Sequence, residues 1–200
     1  MTKIKICGLK SDNDISYANE MKPDYVGFVF LKGRARYVSP KQAACFRKLL
    51  DPSIPAVGVF VDEPVENVVS LLRNDTIQIA QLHGHEDEAY LKKLRKYCCQ
   101  PVIKAFIIKT ADDMNKALRY PSDYLLLDNG LGTGESFDWS LIQNINRPFF
   151  LAGGLNPENV KDAIELAHPY AVDVSSGVET DGKKDYKKMK AFADTVRMLR

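Results

Sequence analysis

The sequence alternates short apolar runs with longer segments of helical periodicity, and this alternation occurs eight times. Runs rich in Val, Ile and Phe are typical of buried strands, and strands that alternate with helices favour repeated βα units around a parallel sheet. The predicted strands are Ile4–Cys7, Tyr25–Phe30, Ala56–Val61, Ile77–His83, Val102–Ile108, Tyr124–Asp128, Pro148–Gly153 and Ala171–Ser175. The predicted helices lie near Asp12–Met21, Pro40–Leu50, Val65–Arg73, Asp87–Tyr97, Ala111–Leu118, Trp139–Gln143, Pro157–Ala167 and Tyr186–Leu199.

The number of units separates two possible architectures. Eight βα units in 200 residues correspond to about 25 residues per unit, the low end of the range for a (β/α)8 barrel. A doubly wound sheet usually has fewer units and a glycine-rich fingerprint after its first strand, where this chain reads CGLKSD. No linker or shift in composition divides the chain. We therefore predict the α/β class, with a (β/α)8 TIM barrel formed as a single domain over residues 1–200.

The charge pattern argues against a nucleic-acid partner. The formal net charge of +2 is nearly balanced, and the basic pairs Lys183–Lys184 and Lys187–Lys188 are separated by Asp185 and Tyr186. A basic patch suited to a polyanion requires a larger cluster than this. We interpret these lysines as the solvated face of a C-terminal helix.

Hydropathy and cysteine usage indicate the compartment and the expected cofactors. No window approaches the ~20 apolar residues of a membrane span, and the first residues lack a signal-peptide pattern, so we expect a cytoplasmic protein with no membrane partner. The four cysteines show neither CxxC spacing nor a secreted disulfide framework, and Cys45 is interpreted as a small buried helix residue. Three histidines without a matched carboxylate cluster predict no metal site.

Chemically active and small residues follow the predicted strands. Catalytic groups of a (β/α)8 barrel lie at the carboxyl ends of its strands, where the βα loops begin. Taken alone, Cys7 also fits a small buried thiol, and Asp128 also fits a loop cap. The residues at these ends are Cys7, His83, Asp128, Gly153, Gly154, Ser175, Ser176 and Gly177.

Alternation along the first strand predicts one buried contact. Cys7 shares a face with Lys5 and Lys3, whereas Ile4 and Ile6 face the helices. A buried ammonium needs an anion. Since the first and last strands of a closed barrel pair with each other, we predict that Lys5 contacts Asp173 inside the barrel.

Two successive strand ends carry a signature of anion binding. Gly153 and Gly154 precede a helix predicted to begin at Pro157 with Asn156 as its cap, and Ser175–Gly177 follow the next strand. The loops after the seventh and eighth strands are the recurrent phosphate site of such barrels. We expect phosphate binding here, although tight turns would also use these residues.

The order of several motifs resembles a known family. These motifs are KICGL, GFVF followed by RARYVSP, VGVFV, QLHG, LLLDNGLGTGESFDW, LAGGLNPENV and VDVSSGVETDGKKD. Together they cover nearly the whole chain, and they resemble the phosphoribosylanthranilate isomerases of tryptophan biosynthesis. The resemblance implies a cofactor-free Amadori rearrangement of a phosphosugar, N-(5-phosphoribosyl)anthranilate, to 1-(2-carboxyphenylamino)-1-deoxyribulose 5-phosphate. We expect the enzyme to be a monomer or a homodimer.

The same resemblance implies roles for individual residues. Cys7 corresponds to the general base and Asp128 to the general acid. The rearrangement needs an acid to protonate the ribose ring oxygen and a base to remove the proton from the neighbouring carbon. Arg36 corresponds to the arginine that holds the anthranilate carboxylate, with Arg34 as the alternative. His83 is expected near the ligand, or else as a structural histidine. Asn129 departs from the family, in which threonine is expected after the aspartate.

Two other functions are compatible with parts of the pattern. A histidine-pathway aminoimidazole isomerase performs the same rearrangement on a larger substrate, but it would carry aspartate at the first strand, where this chain has Cys7. A non-catalytic phosphosugar-binding barrel would bind ligand without turnover. Fold alone does not distinguish these functions, because function depends on the site.

Overall fold

Eight parallel strands form a closed barrel in chain order, each paired with its neighbours, and β8 pairs with β1. The structure is a computed structural model that describes residues 1–128, 142 and 145–199. The strands are β1 Lys3–Cys7, β2 Tyr25–Val29, β3 Ala56–Phe60, β4 Ile79–Leu82, β5 Val102–Ile107, β6 Tyr124–Asp128, β7 Phe149–Leu151 and β8 Ala171–Val174. The described helices are α1 Asp12–Met21, α2 Pro40–Leu49, α3 Val65–Arg73, α4 Glu88–Arg95, α5 Ala111–Arg119, α6 Val160–Ala167 and α7 Tyr186–Met198.

The predicted (β/α)8 barrel is confirmed. Six of the eight predicted strands extend one or two residues beyond an end of the observed strand, because an apolar run does not show where the ladder of backbone hydrogen bonds stops. The bounds of β6 are as predicted, and β1 begins one residue earlier than predicted. The glycine-rich segment after β6, including Asn129, and the helix predicted over Trp139–Gln143 lie outside the described residues, apart from Ile142. Within residues 1–128, 142 and 145–199, no helix combines the length and apolarity needed to cross a bilayer.

The predicted start of α6 is wrong. The helix begins at Val160 rather than at Pro157, with Asn159 as its N-cap residue. The side-chain oxygen of Asn156 accepts hydrogen bonds from the backbone N–H groups of Glu158 and Asn159, at 2.9 and 3.0 Å. Asn156 therefore closes a turn ahead of the helix instead of capping it.

Helix α2 begins with a capping serine, but the prediction for Cys45 in the same helix is wrong. The Ser39 hydroxyl accepts a hydrogen bond from the backbone of Gln42, and proline follows it at the first helical position. Ala43 and Phe46 share the buried face, whereas Cys45 is exposed. Residues three apart lie on one face of a helix, and Cys45 falls beside that face.

Side chains alternate along β1 as the sequence predicts. Ile4 and Ile6 pack in the apolar layer between the sheet and the helices. Lys5 is paired in register with Asp173, and its Nζ lies 2.7 Å from Asp173 Oδ2 inside the barrel. The predicted Lys5–Asp173 contact is confirmed.

Aromatic side chains fill the amino-terminal end of the barrel. Tyr25, Tyr124, Phe150 and Tyr170 stand near the starts of their strands, and their ring centroids lie 5.1 to 5.8 Å apart in contacting pairs. The ammonium of Lys3 lies 5.0 Å from the centroid of the Tyr170 ring. Because this end is filled, open space within the barrel is left at the carboxyl end.

Candidate active site

A cavity of about 560 Å³ opens at the carboxyl end of the barrel. It brings together eight of the nine residues predicted for the site, and the ninth, Gly177, lies against the backbone of Leu155, which lines the cavity. Both arginines considered for the carboxylate, Arg34 and Arg36, line it. The remaining lining residues are Val29, Ala35, Val59, Gln81, Ile107, Ala152, Leu155 and Asp173.

Cys7 ends β1 at the wall of this cavity and is almost fully buried, with 8% of its surface exposed. In the β1–β2 register it lies opposite Gly27, where an added Cβ would lie 2.6 Å from Cys7 Sγ. The glycine therefore provides the space for the thiol. Burial raises the pKa of Cys7, and the charges of Lys5 and Lys184 oppose that shift.

Lys5 lies beneath Cys7 and is fully buried. Burial alone would lower its pKa, but the charges of Asp173 and Cys7 and the hydrogen bonds to both groups together outweigh burial, so the pKa of Lys5 is raised. The ammonium is therefore present at neutral pH. The charge of Lys5 favours the Cys7 thiolate more strongly than the charge of Lys184 does.

His83 and Asp128 face each other across the cavity, with His83 Nε2 3.8 Å from Asp128 Oδ2. The side-chain amide of Gln81 donates to His83 Nδ1 at 3.1 Å, which places the imidazole proton on Nε2, toward Asp128. Burial lowers the pKa of His83, and the charge of Asp128 opposes this only in part. The imidazole is therefore neutral at pH 7 and presents an N–H donor to the cavity.

The loops after β7 and β8 form one surface. Gly153 and Gly154 have φ values of +92° and +68°, a backbone conformation that favours glycine. A Cβ at Gly177 would overlap the carbonyl oxygen of Leu155, so the two loops touch through backbone atoms. Among the described residues, the backbone N–H groups of Gly153, Gly154 and Ser176 donate to no backbone or side-chain acceptor. Such unpaired N–H groups beside a cavity suit an anion.

Arg36 is already paired within the protein. Its Nε and Nη2 donate to the two carboxylate oxygens of Glu179 at 2.8 and 2.7 Å. Burial alone would raise the pKa of Glu179, but hydrogen bonds from Arg36 and Lys184 outweigh it and lower the pKa to about 2. Arg36 therefore enters the cavity with a fixed orientation.

The interpretation of Lys184 as part of a solvated helix face is wrong. Lys184 precedes α7 and lies in β10 (Lys183–Lys184), which pairs with β9 (Glu179–Thr180). Its Nζ is buried and donates to Glu179 Oε1 at 2.8 Å and to the carbonyl of Ser175 at 2.9 Å. The alternation of charges around Lys184 in the sequence resembles that of a solvated helix face. Lys184 is buried because the β9–β10 hairpin folds against the barrel.

Gln81 was missed by sequence reasoning, and Asp173 was predicted only as the partner of Lys5, not as a residue of the cavity. Gln81 Oε1 and Asp173 Oδ1 are buried and accept no hydrogen bond from the described part of the chain. Both lie two positions before a predicted strand-end residue, Gln81 before His83 and Asp173 before Ser175. The period of two along a strand puts them on the same inward face, and that signal could have identified them.

The described residues also bear on metal binding. In residues 1–128, 142 and 145–199, no group of three or more His, Cys, Asp and Glu side chains is arranged to hold a metal ion. The polar side chains of the cavity are a thiol, an imidazole, an amide, two hydroxyls, two carboxylates and two arginines. A (β/α)8 barrel with such groups at its carboxyl end has the architecture of the barrel enzymes.

Comparison with known proteins defines the class further. Residues 4–195 match the family model described as PRAI, N-(5'phosphoribosyl)anthranilate (PRA) isomerase. The N-(5'-phosphoribosyl)anthranilate isomerase of Thermoanaerobacter sp. (strain X514) is 45% identical over 207 residues, which cover 100% of both chains. The chain therefore belongs to the N-(5'-phosphoribosyl)anthranilate isomerase family, as its motifs predicted.

Solved structures agree with this membership. A crystal structure of phosphoribosyl anthranilate isomerase in complex with reduced 1-(o-carboxyphenylamino)-1-deoxyribulose 5-phosphate aligns with a TM-score of 0.89 at 39% identity, covering 100% of both chains. Monomers generated from the dimeric enzyme of Thermotoga maritima align with a TM-score of 0.88 at 39% identity, again over 100% of both chains. These relatives share the barrel along its whole length.

Proposed function

We propose that the protein isomerises N-(5-phosphoribosyl)anthranilate to 1-(2-carboxyphenylamino)-1-deoxyribulose 5-phosphate in tryptophan biosynthesis. The observation that carries this proposal is the placement of Cys7 and Asp128 on one cavity that also reaches the paired loops after β7 and β8. Membership of the isomerase family supports the same reaction. We infer that the enzyme acts in the cytoplasm as a monomer or a homodimer, without a nucleic-acid partner.

Substrate binding uses the two ends of the cavity. The phosphate accepts hydrogen bonds from the backbone of Gly153, Gly154 and Ser176, whose N–H groups are otherwise unpaired among the described residues. The anthranilate carboxylate lies on Arg36, because a guanidinium offers two parallel donors to a carboxylate. Arg34 lies nearby on the cavity wall and is the alternative partner.

The reaction combines one ring opening with proton transfers. Asp128 donates a proton to the ribose ring oxygen while the C1–O bond breaks and the nitrogen lone pair forms a C1–N double bond. Cys7, as thiolate, then removes the proton from C2, and the electrons of that bond give an enolamine. The C2 hydroxyl of the enolamine then gives its proton to the Asp128 carboxylate while C1 takes a proton from the Cys7 thiol, which produces the ketone and restores both groups. No atom is gained or lost, so the chain's own acid and base suffice.

His83 supports the carboxyl group in this scheme. Its Nε2–H faces Asp128 Oδ2, and Gln81 holds the ring in that tautomer. A neutral imidazole can donate a hydrogen bond to Asp128 or to the developing alkoxide without adding a charge. We therefore assign His83 a role in contacting the substrate near the acid.

The proposed activity is tested by turnover of N-(5-phosphoribosyl)anthranilate with purified protein in excess EDTA. We expect loss of the substrate signal and appearance of the ketose product at a rate that EDTA does not change. A folded protein that binds the substrate without converting it would instead be a phosphosugar-binding barrel. Conversion of an aminoimidazole substrate in place of the anthranilate would assign the other isomerase.

Replacement of Gly177 by alanine tests whether the loops after β7 and β8 together bind the phosphate. The new Cβ would overlap Leu155 O and separate the two loops, so we expect the Kd of inorganic phosphate to rise about tenfold or more. Ser176→Ala is the matched control, because it keeps the backbone donor and removes only a hydroxyl. Phosphate affinity equal to that of the parent in Gly177→Ala would place the phosphate elsewhere.

A further inference from the structure

Three side chains beside the cavity form a charged group that we call the Arg36 cluster: Arg36, Glu179 and Lys184. Glu179 lies at its centre and receives two hydrogen bonds from Arg36 and one from Lys184, at 2.7 to 2.8 Å. The side chains of Glu179 and Lys184 are 8% and 1% exposed, whereas that of Arg36 is 33% exposed. Arg36 is therefore the member of the cluster that reaches a ligand.

Among the described residues, Glu179 leaves one edge of the Arg36 guanidinium without a hydrogen-bond acceptor. A guanidinium carries five N–H donors, and Glu179 takes one on Nε and one on Nη2. The remaining donors are both hydrogens of Nη1 and the second hydrogen of Nη2. Nη1 and Nη2 together form an end-on pair, the arrangement that binds a second carboxylate with two parallel hydrogen bonds.

The charges of the cluster favour an anionic ligand. Both partners of Lys184 Nζ, Glu179 Oε1 and the Ser175 carbonyl, are acceptors, as expected for an ammonium. Two cations and one carboxylate give the cluster a net charge of about +1. A single ligand carboxylate on the free edge of Arg36 brings the net charge of the cluster to zero. Without Lys184, the pair of Arg36 and Glu179 would already be neutral before the ligand binds.

The position of the cluster is fixed by the loop after β8. Glu179 and Lys184 are paired in the β9–β10 ladder, and Lys184 is anchored to the carbonyl of Ser175. Ser175 in turn donates its hydroxyl to the Cys7 carbonyl at 3.1 Å. The loop that approaches the anion site thus also sets the orientation of Arg36.

We propose that Glu179 and Lys184 are positioning residues that select substrates with a carboxylate on the aromatic ring. They hold Arg36 with its Nη edge toward the cavity and keep the cluster at a net positive charge. The inference rests on the proposed function for the identity of the substrate. It assigns no proton transfer to either residue.

The test compares two ligands that differ only in the carboxylate. They are reduced 1-(o-carboxyphenylamino)-1-deoxyribulose 5-phosphate and its phenylamino counterpart, titrated by calorimetry into the parent and into Glu179→Gln. We expect the Kd of the carboxylate ligand to rise about tenfold, and that of the phenylamino ligand to change less than about twofold. Glu165→Gln, at an exposed glutamate of α6, is the matched control and leaves both values unchanged.

The direction in which the Kd of the carboxylate ligand changes distinguishes a positioning role of Glu179 from competition between Glu179 and the ligand for Arg36. Loss of the Glu179 charge makes the cluster more positive, so a glutamate that merely competes for Arg36 would give tighter carboxylate binding in Glu179→Gln. Tighter binding, or an equal rise in Kd for both ligands, would overturn the proposal. In an Arg36→Met background the effect of Glu179→Gln on the ratio of the two Kd values should disappear.

These binding measurements do not require turnover. A parent protein that binds the carboxylate ligand selectively but converts no substrate contradicts the proposed activity and leaves the role of Glu179 supported. If the parent converts the substrate and Glu179→Gln keeps the parental selectivity for the carboxylate ligand, only the role of Glu179 is contradicted. Glu179→Asp, which retains the charge with a shorter reach, should recover part of the selectivity.

Discussion

Cys7→Ala and Asp128→Asn should each lower kcat by about 10²- to 10⁴-fold, the range that one general acid or base contributes. Cys7 is the thiol on the cavity, and Asp128 is the carboxylate at the end of β6 that faces it. Neither change removes a large buried side chain, so the fold should be retained. Single-turnover measurement of product at saturating substrate reports the chemical step in each variant.

A matched control distinguishes loss of the base from loss of a buried thiol. Cys98 is also 8% exposed, equal to Cys7, but it does not line the cavity. Cys98→Ala should therefore keep the parental kcat. If Cys7→Ala also kept it, the base would have to be another group. If Asp128→Asn kept it, His83, at 3.8 Å from Asp128, would be the next candidate for the acid.

The pH dependence follows from the environment of the thiol. Burial raises the pKa of Cys7 above its ordinary value, and the thiolate is the reactive form. The kcat/KM of the parent should therefore increase as the pH rises from neutral to alkaline values. Cys7→Ala should lose this rise, and a parent rate independent of pH over that range would argue against a thiolate base.

The inner face of β1 shows what a sequence can predict about a site. Lys5 and Cys7 are two residues apart, and barrel closure brings β8 beside β1. A strict period of two and the cost of an unpaired buried charge were enough to predict the contact with Asp173. The same alternation also points to Gln81, because it lies two residues before His83.

The Arg36 cluster shows what such reasoning cannot predict. Arg36 and Glu179 are 143 residues apart, and neither lies in a strand of the barrel facing the other. No periodicity relates them, and their pairing depends on how the β9–β10 hairpin returns to the cavity. Lys184 lies in a run of lysines that resembles a solvated surface. The β9–β10 hairpin buries it, and the neighbouring residues in the sequence do not indicate this.

The start of α6 shows a competition between similar local signals. Asn156 and Asn159 are both capping residues, and Pro157 suits the first position of a helix. Asn156 instead uses its side chain to close a turn, and Asn159 donates its amide to the Gly154 carbonyl at 3.0 Å. A helix cap contributes about 1 kcal/mol. The hydrogen bond from Asn159 to the loop after β7 is therefore enough to shift the start of the helix from Pro157 to Val160.

Lys5→Met should lower the free energy of unfolding by about 3–5 kcal/mol, because it leaves Asp173 buried without its cation. Lys5 Nζ lies 2.7 Å from Asp173 Oδ2, and both side chains are buried. The pKa of Lys5 is raised in the folded protein, so the contribution of its charge is complete below about pH 10 and is lost only as the pH rises through the raised value. Urea denaturation at pH 7 therefore measures the full effect.

The double variant Lys5→Met with Asp173→Leu separates the cost of an unpaired charge from that of lost packing. Replacing both members of a buried ion pair by apolar side chains is often neutral, so stability should recover to within about 1–2 kcal/mol of the parent. Activity should stay low, because the ammonium that favours the Cys7 thiolate is gone and the alkaline rise in kcat/KM moves to higher pH. A double variant less stable than Lys5→Met alone would show that shape, rather than charge, governs this layer of the barrel.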